Sequence, residues 1–198
     1  TDRIKKLLAR YEIFKKAMLV PGDIIECGVF KGAGFMYWLK LLDLNARGEQ
    51  RKVIGFDTFN EFSNSLLDYE KKSAKDFTDE SQFEGVDPEE ILNNAKSAGF
   101  KNCELVAGDV LETIPNYVKQ NIGFRISLLH LDLDTYLGTK IALEKFYDFV
   151  TPGGIILLDE YGKRGWGESD AVDEFFKNKN KKIISINKSF QPTAYIIK

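Results

Sequence analysis

The sequence has few of the residues that form disulfides or cysteine and histidine metal sites. Among its 198 residues are two cysteines and one histidine. Cys27 and Cys103 both fall inside predicted strands and lack the spacing of metal ligands, so we expect buried, reduced thiols. Reduced thiols argue against a disulfide framework and favour a cytoplasmic location.

Long apolar runs and basic clusters are also missing. No segment reaches the ~20 apolar residues that span a bilayer, and no signal-peptide pattern opens the chain. The net charge is −2, and no basic stretch is long enough to follow a phosphate backbone. We therefore expect neither a membrane nor a nucleic acid as partner.

A hydrophobic fraction of 43% in a chain of this length indicates one α/β domain, residues 1–198. Residues 24–34 read I-I-E-C-G-V-F-K-G-A-G, which predicts a strand, a tight glycine turn and a helix whose N-terminus can bind an anion. Glu26 stands where a dinucleotide-binding fold has its first glycine, and the second strand, residues 52–57, ends on Asp57. The turn therefore differs from the nicotinamide dinucleotide pattern.

Further apolar runs predict three more parallel strands at residues 103–109, 124–134 and 155–159. Residues 182–187 and 193–197 are joined by too short a turn for a helix, so they predict an antiparallel pair. An amphipathic helix near the start, residues 1–20, would pack on the domain edge or on a partner chain, which leaves a homo-oligomer open.

One connection, residues 59–86, is longer than its place in the chain requires. It combines many polar residues with dispersed aromatics, including Phe62, Phe77 and Phe83. Connections of this length are usually lids or binding loops, so we expect this segment to cover a site and to set specificity.

Acids stand at the carboxyl ends of five predicted strands. They are Glu26, Asp57, Asp109, Asp132 with Asp134, and Asp159 with Glu160. Acids are common wherever a strand turns into a loop, but five in succession favour a binding edge, because ligands of open parallel sheets bind there. Asp57 is placed to accept hydrogen bonds from ribose hydroxyls, and Asp109 could accept one from an exocyclic amine.

Three of these acids are candidates for a metal site. Asp132, Asp159 and Glu160 should converge, and their carboxylates would repel one another unless a cation, best Mg²⁺, sat among them. Asp159 and Glu160 can both bind it only if the chain has already left the strand. Asp134, on the strand face of Asp132 but further out, is the predicted general base. His130 shares that face, and a lone strand histidine is more often a core residue than a catalytic one.

Five motifs in matching order resemble the macrocin O-methyltransferase family (TylF/MycF type). They are the run at residues 24–34, G-F-D-T-F at 55–59, G-D-V-L-E-T-I-P at 108–115, H-L-D-L-D-T-Y at 130–136 and L-L-D-E-Y at 157–161. Enzymes of this family use S-adenosylmethionine to methylate sugar hydroxyls. The resemblance implies a Rossmann-like class I methyltransferase fold, with a seven-stranded, mostly parallel sheet, an antiparallel last strand and helices on both faces.

The resemblance also implies roles for individual residues. The residues near the cofactor would be Glu26, Gly28 and Gly32 at its methionine end, Asp57 at its ribose and Asp109 at its adenine, with Thr58 as a further cofactor-binding residue. The metal acids would be Asp132, Asp159 and Glu160, and the base Asp134. The family usually has a second aspartate where this chain has Glu160, which is one methylene longer.

We therefore expect an S-adenosylmethionine-dependent and Mg²⁺-dependent O-methyltransferase acting on a hydroxyl of a sugar or a glycosylated small molecule. The hydroxyl oxygen would attack the sulfonium methyl group in line, while Asp134 takes the proton. Arg164 and Trp166 would contact the acceptor or form an exposed loop with one anchoring aromatic. Two alternatives remain: a catechol-type O-methyltransferase acting on an aromatic diol, and a non-catalytic module that binds adenosylmethionine.

Overall fold

The computed structural model describes residues 2–45, 51–63, 65–82, 84–187 and 189–198. The predicted polar loop at residues 46–50 and the lid aromatic Phe83 lie outside these ranges. The strands are β1 (Asp23–Cys27), β2 (Val53–Asp57), β3 (Cys103–Ala107), β4 (Ile126–Leu131), β5 (Val150–Leu158), β6 (Ile184–Ser185) and β7 (Ala194–Ile197). The helices are α1 (Asp2–Ala17), α2 (Ala33–Leu44), α3 (Asp68–Ser81), α4 (Pro88–Ser97), α5 (Val110–Gln120), α6 (Tyr136–Phe146) and α7 (Glu168–Phe176).

The strands form one sheet in the order β3-β2-β1-β4-β5-β7-β6. Strands β1 to β5 pair in parallel, and β7 runs antiparallel to both β5 and β6. The predicted seven-stranded, Rossmann-like sheet with an antiparallel last strand is therefore confirmed. Its strand order reverses between β1 and β4, and open sheets of this kind bind ligands in the crevice at such a point.

Both faces of the sheet are buried, because strand residues alternate between two apolar clusters. One cluster joins Ile25, Leu129 and Ile156 to helices α5, α6 and α7. The other joins Ile24 and Leu128 to helices α1, α2 and α4. Strands buried on both sides read as continuous apolar runs, which explains why they could be found in the sequence.

Four strands, β3, β4, β5 and β6, end earlier than the sequence predicts. Strand β4 ends at Leu131 and β5 at Leu158, so the acids that follow belong to loops. The expectation that Asp132 and Asp134 share a strand face is therefore wrong. The polypeptide turns directly after Leu131, and Asp134 has a left-handed backbone with φ of 63°.

The segment at residues 59–86 contains helix α3, which its polar composition did not predict. The only buried residues of α3 are Glu70 and Ala74, so it lacks the apolar stripe of a core helix. None of the helices in the described parts of the chain is both long and apolar enough to cross a membrane.

Candidate active site

Asp132 and Asp159 meet at the rim where β4 and β5 end. One ligand atom from each lies within 4.8 Å of a ring nitrogen of His130, and within the described residues this is the group of histidine, cysteine and acidic side chains that could hold a metal ion. Asp159 is fully buried. Its Oδ2 accepts a hydrogen bond from Lys6 Nζ at 3.1 Å, and its Oδ1 lies 3.5 Å from Arg10 Nη2.

His130 is buried at the centre of this group. Its Nε2 lies 3.2 Å from Asp159 Oδ1, and its Nδ1 lies 3.2 Å from Glu26 Oε1. Burial and Arg10 work against protonation, but the hydrogen bonds to Asp159 and Glu26 raise the pKa of His130 above its usual value. Both ring nitrogens of His130 already lie against carboxylate oxygens, one of Glu26 and one of Asp159.

We call Glu26, Asp132 and Asp159, with Lys6, Arg10 and His130, the Asp159 cluster. Burial opposes ionisation of Asp159, yet His130, Lys6 and Arg10 together hold its pKa below the usual range. Burial and the charge of Asp159 raise the pKa of Asp132 to about 7. The cluster thus contains three acids and three basic side chains.

Glu26 lies beneath the glycine turn. Its Oε1 accepts a hydrogen bond from Trp38 Nε1 at 3.1 Å, and its Oε2 is buried with no partner among the described residues. A Cβ on Gly34 would lie 2.3 Å from Glu26 Oε1, and a Cβ on Gly28 would lie 1.8 Å from the carbonyl oxygen of Asp132. These two glycines therefore let the turn and the following helix pack against the acid rim.

The acids after β2 and β3 accept hydrogen bonds from nearby backbone and lid groups. Asp57 Oδ2 accepts from the N–H groups of Val29 and Phe30, at 2.6 and 2.8 Å, and its Oδ1 accepts from the N–H of Phe59. Asp109 Oδ1 caps helix α5. Its Oδ2 accepts from Ser63 Oγ in the lid. Each carboxylate offers about four lone-pair positions, so both acids retain capacity for a ligand donor.

The other predicted cofactor residues lie nearby. Gly32 caps helix α2 with a left-handed backbone. The Thr58 hydroxyl is within hydrogen-bonding distance of the carbonyl oxygens of Asn60 and Glu61, at the start of the lid. The contacts of all six residues with a cofactor stay predictions.

A second group of acids lies beside the first. Burial and the charge of Glu160 raise the pKa of Asp134 well above its usual range. Burial, with the charges of Asp159 and Asp132, does the same for Glu168. One oxygen each of Asp134, Glu160 and Glu168 is buried without a hydrogen-bond partner among the described residues. We call these three acids, with Lys163, the Asp134 cluster.

Lys163 is the one cation of this cluster, and it pairs with Glu160 Oε1. Gln191 donates a hydrogen bond to the same oxygen. Glu160 was predicted to join Asp132 and Asp159 at a metal, but the group that could hold a metal ion consists of Asp132, Asp159 and His130. The unpaired oxygens leave this part of the rim with excess negative charge, which a proton or a cation would neutralise.

The donor chemistry of the rim fits a hard divalent cation. The carboxylates of Asp132 and Asp159 approach one another, and the unpartnered Oε2 of Glu160 is an unused oxygen ligand. Lys6 Nζ contacts Asp159 Oδ2, and about a third of the Lys6 side chain (32%) is exposed. It is therefore the contact that a cation could most easily displace.

The lid packs against the glycine turn and the loop before α7 through aromatic side chains. Phe77 of α3 contacts Phe30 of the glycine turn, with ring centroids 5.5 Å apart. Phe62 contacts Trp166 of the loop before α7 at 5.7 Å. Trp166 is buried and Arg164 is exposed, so Trp166 anchors this loop to the lid.

Five residues were not predicted from the sequence: Lys6, Arg10, Lys163 and Glu168 of the two clusters, and Glu70 of the lid. Lys6 and Arg10 continue the helix face that buries Ile13, Phe14 and Ala17. Basic residues on an apolar helix face are a signal that could have found them. No comparable pattern marks Glu70 or Glu168.

Comparisons with known proteins agree with this arrangement. The family model for macrocin-O-methyltransferase (TylF) matches residues 2–190. A Streptomyces olivaceus protein, 8-demethyl-8-(2,3-dimethoxy-alpha-L-rhamnosyl)-tetracenomycin-C 4'-O-methyltransferase, is 25% identical over 152 residues, which are 72% of this chain and 54% of that protein. The chain thus spans about half the length of this curated relative.

The chain is also similar to solved structures of methyltransferases. Two crystal structures of the calicheamicin methyltransferase CalS11, one described as a TDP-rhamnose 3'-O-methyltransferase, are 26% identical, with TM-scores of 0.82 and 0.76. Each alignment covers 98% of this chain and 79% of that one. The O-methyltransferase NovP is 22% identical with a TM-score of 0.82, covering 98% of this chain and 80% of that one, and shows the shared fold.

Proposed function

The chain belongs to the macrocin-O-methyltransferase (TylF) family, and on that premise we propose that it transfers a methyl group from S-adenosylmethionine to a hydroxyl of a sugar or a glycosylated small molecule. Relatives named for rhamnose derivatives support a deoxysugar acceptor. The observation that carries the proposal is Asp134. It has a buried, unpartnered oxygen and a left-handed backbone at the ligand-binding edge of the sheet.

We propose that residues 1–198 act as one methyltransferase domain, with residues 59–86 as its lid. Adenosylmethionine, when bound, supplies a methyl group on a good leaving group. Six residues would hold it: Glu26, Gly28 and Gly32 at its methionine end, Asp57 at its ribose and Asp109 at its adenine, with Thr58 as a further cofactor-binding residue. The unpartnered Oε2 of Glu26 and the remaining lone pairs of Asp57 and Asp109 support this assignment.

We propose a Mg²⁺ site formed by Asp132, Asp159 and Glu160. A divalent cation there would lower the pKa of an acceptor hydroxyl. Lys6 would release Asp159 Oδ2, and Glu160 would offer its unpartnered oxygen.

Asp134 is the proposed general base. Because the pKa of its carboxyl is raised, it is a stronger base than an ordinary aspartate once ionised. Its backbone carbonyl accepts hydrogen bonds from Gly167 and Glu168, which fix the loop that carries it. The lid, anchored by Phe62 on Trp166, would exclude water from the reacting hydroxyl.

The charge of the chain supports a small-molecule acceptor, and its thiols bear on its location in the cell. The near-neutral chain offers no basic tract for nucleic acid. The free thiols of Cys27 and Cys103 support a cytoplasmic location.

The test is methyl transfer from isotope-labelled adenosylmethionine to three kinds of acceptor: TDP-rhamnose, a rhamnosyl glycoside and catechol. We expect the rhamnose acceptors to be methylated, catechol to be left unmodified, and a chelator to remove the activity until Mg²⁺ is restored. Transfer to catechol alone would replace the sugar acceptor with an aromatic diol. Activity that is indifferent to chelation would remove the metal site.

A further inference from the structure

Glu70 is a fully buried acid on the lid helix α3 that has no part in the site described above. Its Oε2 accepts a hydrogen bond from the N–H of Leu67 at 2.8 Å, which caps its own helix. Its Oε1 accepts one from the N–H of Tyr136 at 2.6 Å, the first residue of α6. One carboxylate thus caps two helices, one in the lid and one that begins two residues after Asp134.

The loop that carries Asp134 is held from two sides. On one side, the carbonyl oxygen of Asp134 accepts hydrogen bonds from the N–H groups of Gly167 and Glu168, at 3.0 and 3.1 Å. On the other side, Tyr136 donates to Glu70. A left-handed backbone is unfavourable for aspartate and persists only where its surroundings hold it, so these contacts maintain the observed direction of the Asp134 side chain.

The meeting point of the three segments is tightly packed. A Cβ on Gly167 would lie 2.3 Å from Glu70 Oε1 and 2.5 Å from the backbone nitrogen of Tyr136. The lid helix, the loop after β4 and the loop before α7 are therefore in close contact at Glu70. If the lid moved away, Tyr136 would lose its acceptor and one of the two supports of Asp134 would be gone.

We propose that Glu70 is a positioning residue for Asp134, which couples closure of the lid to assembly of the general base. The inference rests on the proposed function, in which Asp134 accepts the acceptor proton. It implies that an acceptor too large for the lid to close over it meets a misplaced base and reacts slowly even when it binds.

The primary variant is Glu70→Gln, which keeps the size of the side chain. An amide presents an N–H₂ group to one of the two backbone donors, so one of the two caps is lost. The matched control is Glu80→Gln, an exposed acid on the same helix. A second variant, Gly167→Ala, keeps the Glu70 carboxylate and disturbs the same junction from the other side, because its Cβ would collide with Glu70 Oε1 and with the backbone nitrogen of Tyr136.

Three measurements separate positioning from a merely structural role. For Glu70→Gln we expect kcat to fall about 10- to 100-fold, because small displacements of a reacting group are costly, while the Kd for adenosylmethionine stays within about twofold. We expect the Tyr136 amide to exchange with deuterium about tenfold faster. In an Asp134→Asn background, Glu70→Gln should lower kcat no further, because it acts through Asp134.

Gly167→Ala should reproduce the loss of kcat and the faster exchange, and Glu80→Gln should reproduce neither. A Glu70→Gln protein with normal kcat, or one whose loss adds fully to that of Asp134→Asn, would overturn the positioning role. Faster Tyr136 exchange in a protein that methylates none of the acceptors would reject the proposed function and retain the coupling of lid and loop. Unchanged exchange would reject the coupling whatever the activity.

Discussion

The Asp159 and Asp134 clusters lie side by side at one edge of the sheet, but they differ in how many basic side chains pair with their acids. In the Asp159 cluster, Lys6, Arg10 and His130 surround the buried Asp159 and neutralise it. In the Asp134 cluster, three acids share one cation, Lys163, and each keeps a buried oxygen without a partner.

This difference in charge pairing bears on the role of each cluster. Buried charges that are fully paired stabilise a fixed arrangement, and breaking such a pair is expensive. Buried acids without partners raise one another's pKa and are poised to take a proton, as functional sites often require. We infer that the ion pairs around Asp159 fix the edge of the sheet at which the proposed metal would bind, and that the Asp134 cluster supplies the base.

The largest effect should come from Asp134→Asn. Removing a general base lowers kcat by about 100- to 10,000-fold. Asparagine tolerates a left-handed backbone, so the fold should persist and the Kd for adenosylmethionine should stay unchanged. Steady-state kinetics and calorimetry test both statements, with the exposed Asp148→Asn as control. A variant that turns over normally would place the base elsewhere.

Asp159→Asn tests the structural side of the comparison. It leaves Lys6, Arg10 and His130 around a neutral side chain, so we expect the free energy of unfolding to fall by about 3–5 kcal/mol. Glu160→Gln should cost less, because the partner of Glu160, Lys163, is more than a third exposed. Chemical denaturation measures both. Equal losses would show that the two clusters do not differ as described.

The sequence predicted the sheet and its acid-lined edge well, because both depend on local patterns. Strands buried on two faces must be apolar throughout, and acids such as Asp57 and Asp159 follow directly where these strands end. Parallel strands bring their carboxyl ends to one edge, so the convergence of Asp132 and Asp159 followed from topology.

The division of the acids into two clusters could not be predicted. It depends on how the chain turns after Leu131 and Leu158, and on Lys6 and Arg10, which reach Asp159 from a helix far away in the sequence. Helix α3 was missed for a related reason. It is stabilised by contacts of Glu70 and Phe77 with other segments, and these leave no periodic apolar stripe.

Glu168→Gln is expected to raise the free energy of unfolding, by less than Asp159→Asn lowers it. Burial raises the pKa of Glu168, so above the ordinary pKa of 4.5 the unfolded chain loses this proton while the folded chain keeps it. The wild type therefore loses stability as the pH rises through that interval, and glutamine does not. We expect the variant to gain about 1 kcal/mol at neutral pH and nothing below pH 4.

Denaturation curves at several pH values, with a chelator present, test this expectation. Glu174→Gln, at an exposed position on the same helix, is the control. A difference between variant and wild type that is the same at every pH would contradict a buried, protonated Glu168.

The smallest effect on stability is expected for Lys6→Met. The ion pair with Asp159 is partly exposed, so its loss should change the free energy of unfolding by less than about 1 kcal/mol. It frees Asp159 Oδ2, so the affinity for Mn²⁺, measured by paramagnetic resonance, should rise up to about tenfold. Lys5→Met, on the exposed side of α1, is the control. Unchanged affinity would place the cation away from Asp159.

The most direct test of the account is a single labelling experiment. Wild-type protein and Asp134→Asn are each mixed with TDP-rhamnose, Mg²⁺ and adenosylmethionine that carries ¹³C in its methyl group, and the sugar is followed by NMR. We predict a ¹³C methoxy signal on the sugar with the wild type and none with the variant over the same time. A methoxy signal that grows equally fast with both proteins would contradict the assignment of Asp134 as the base.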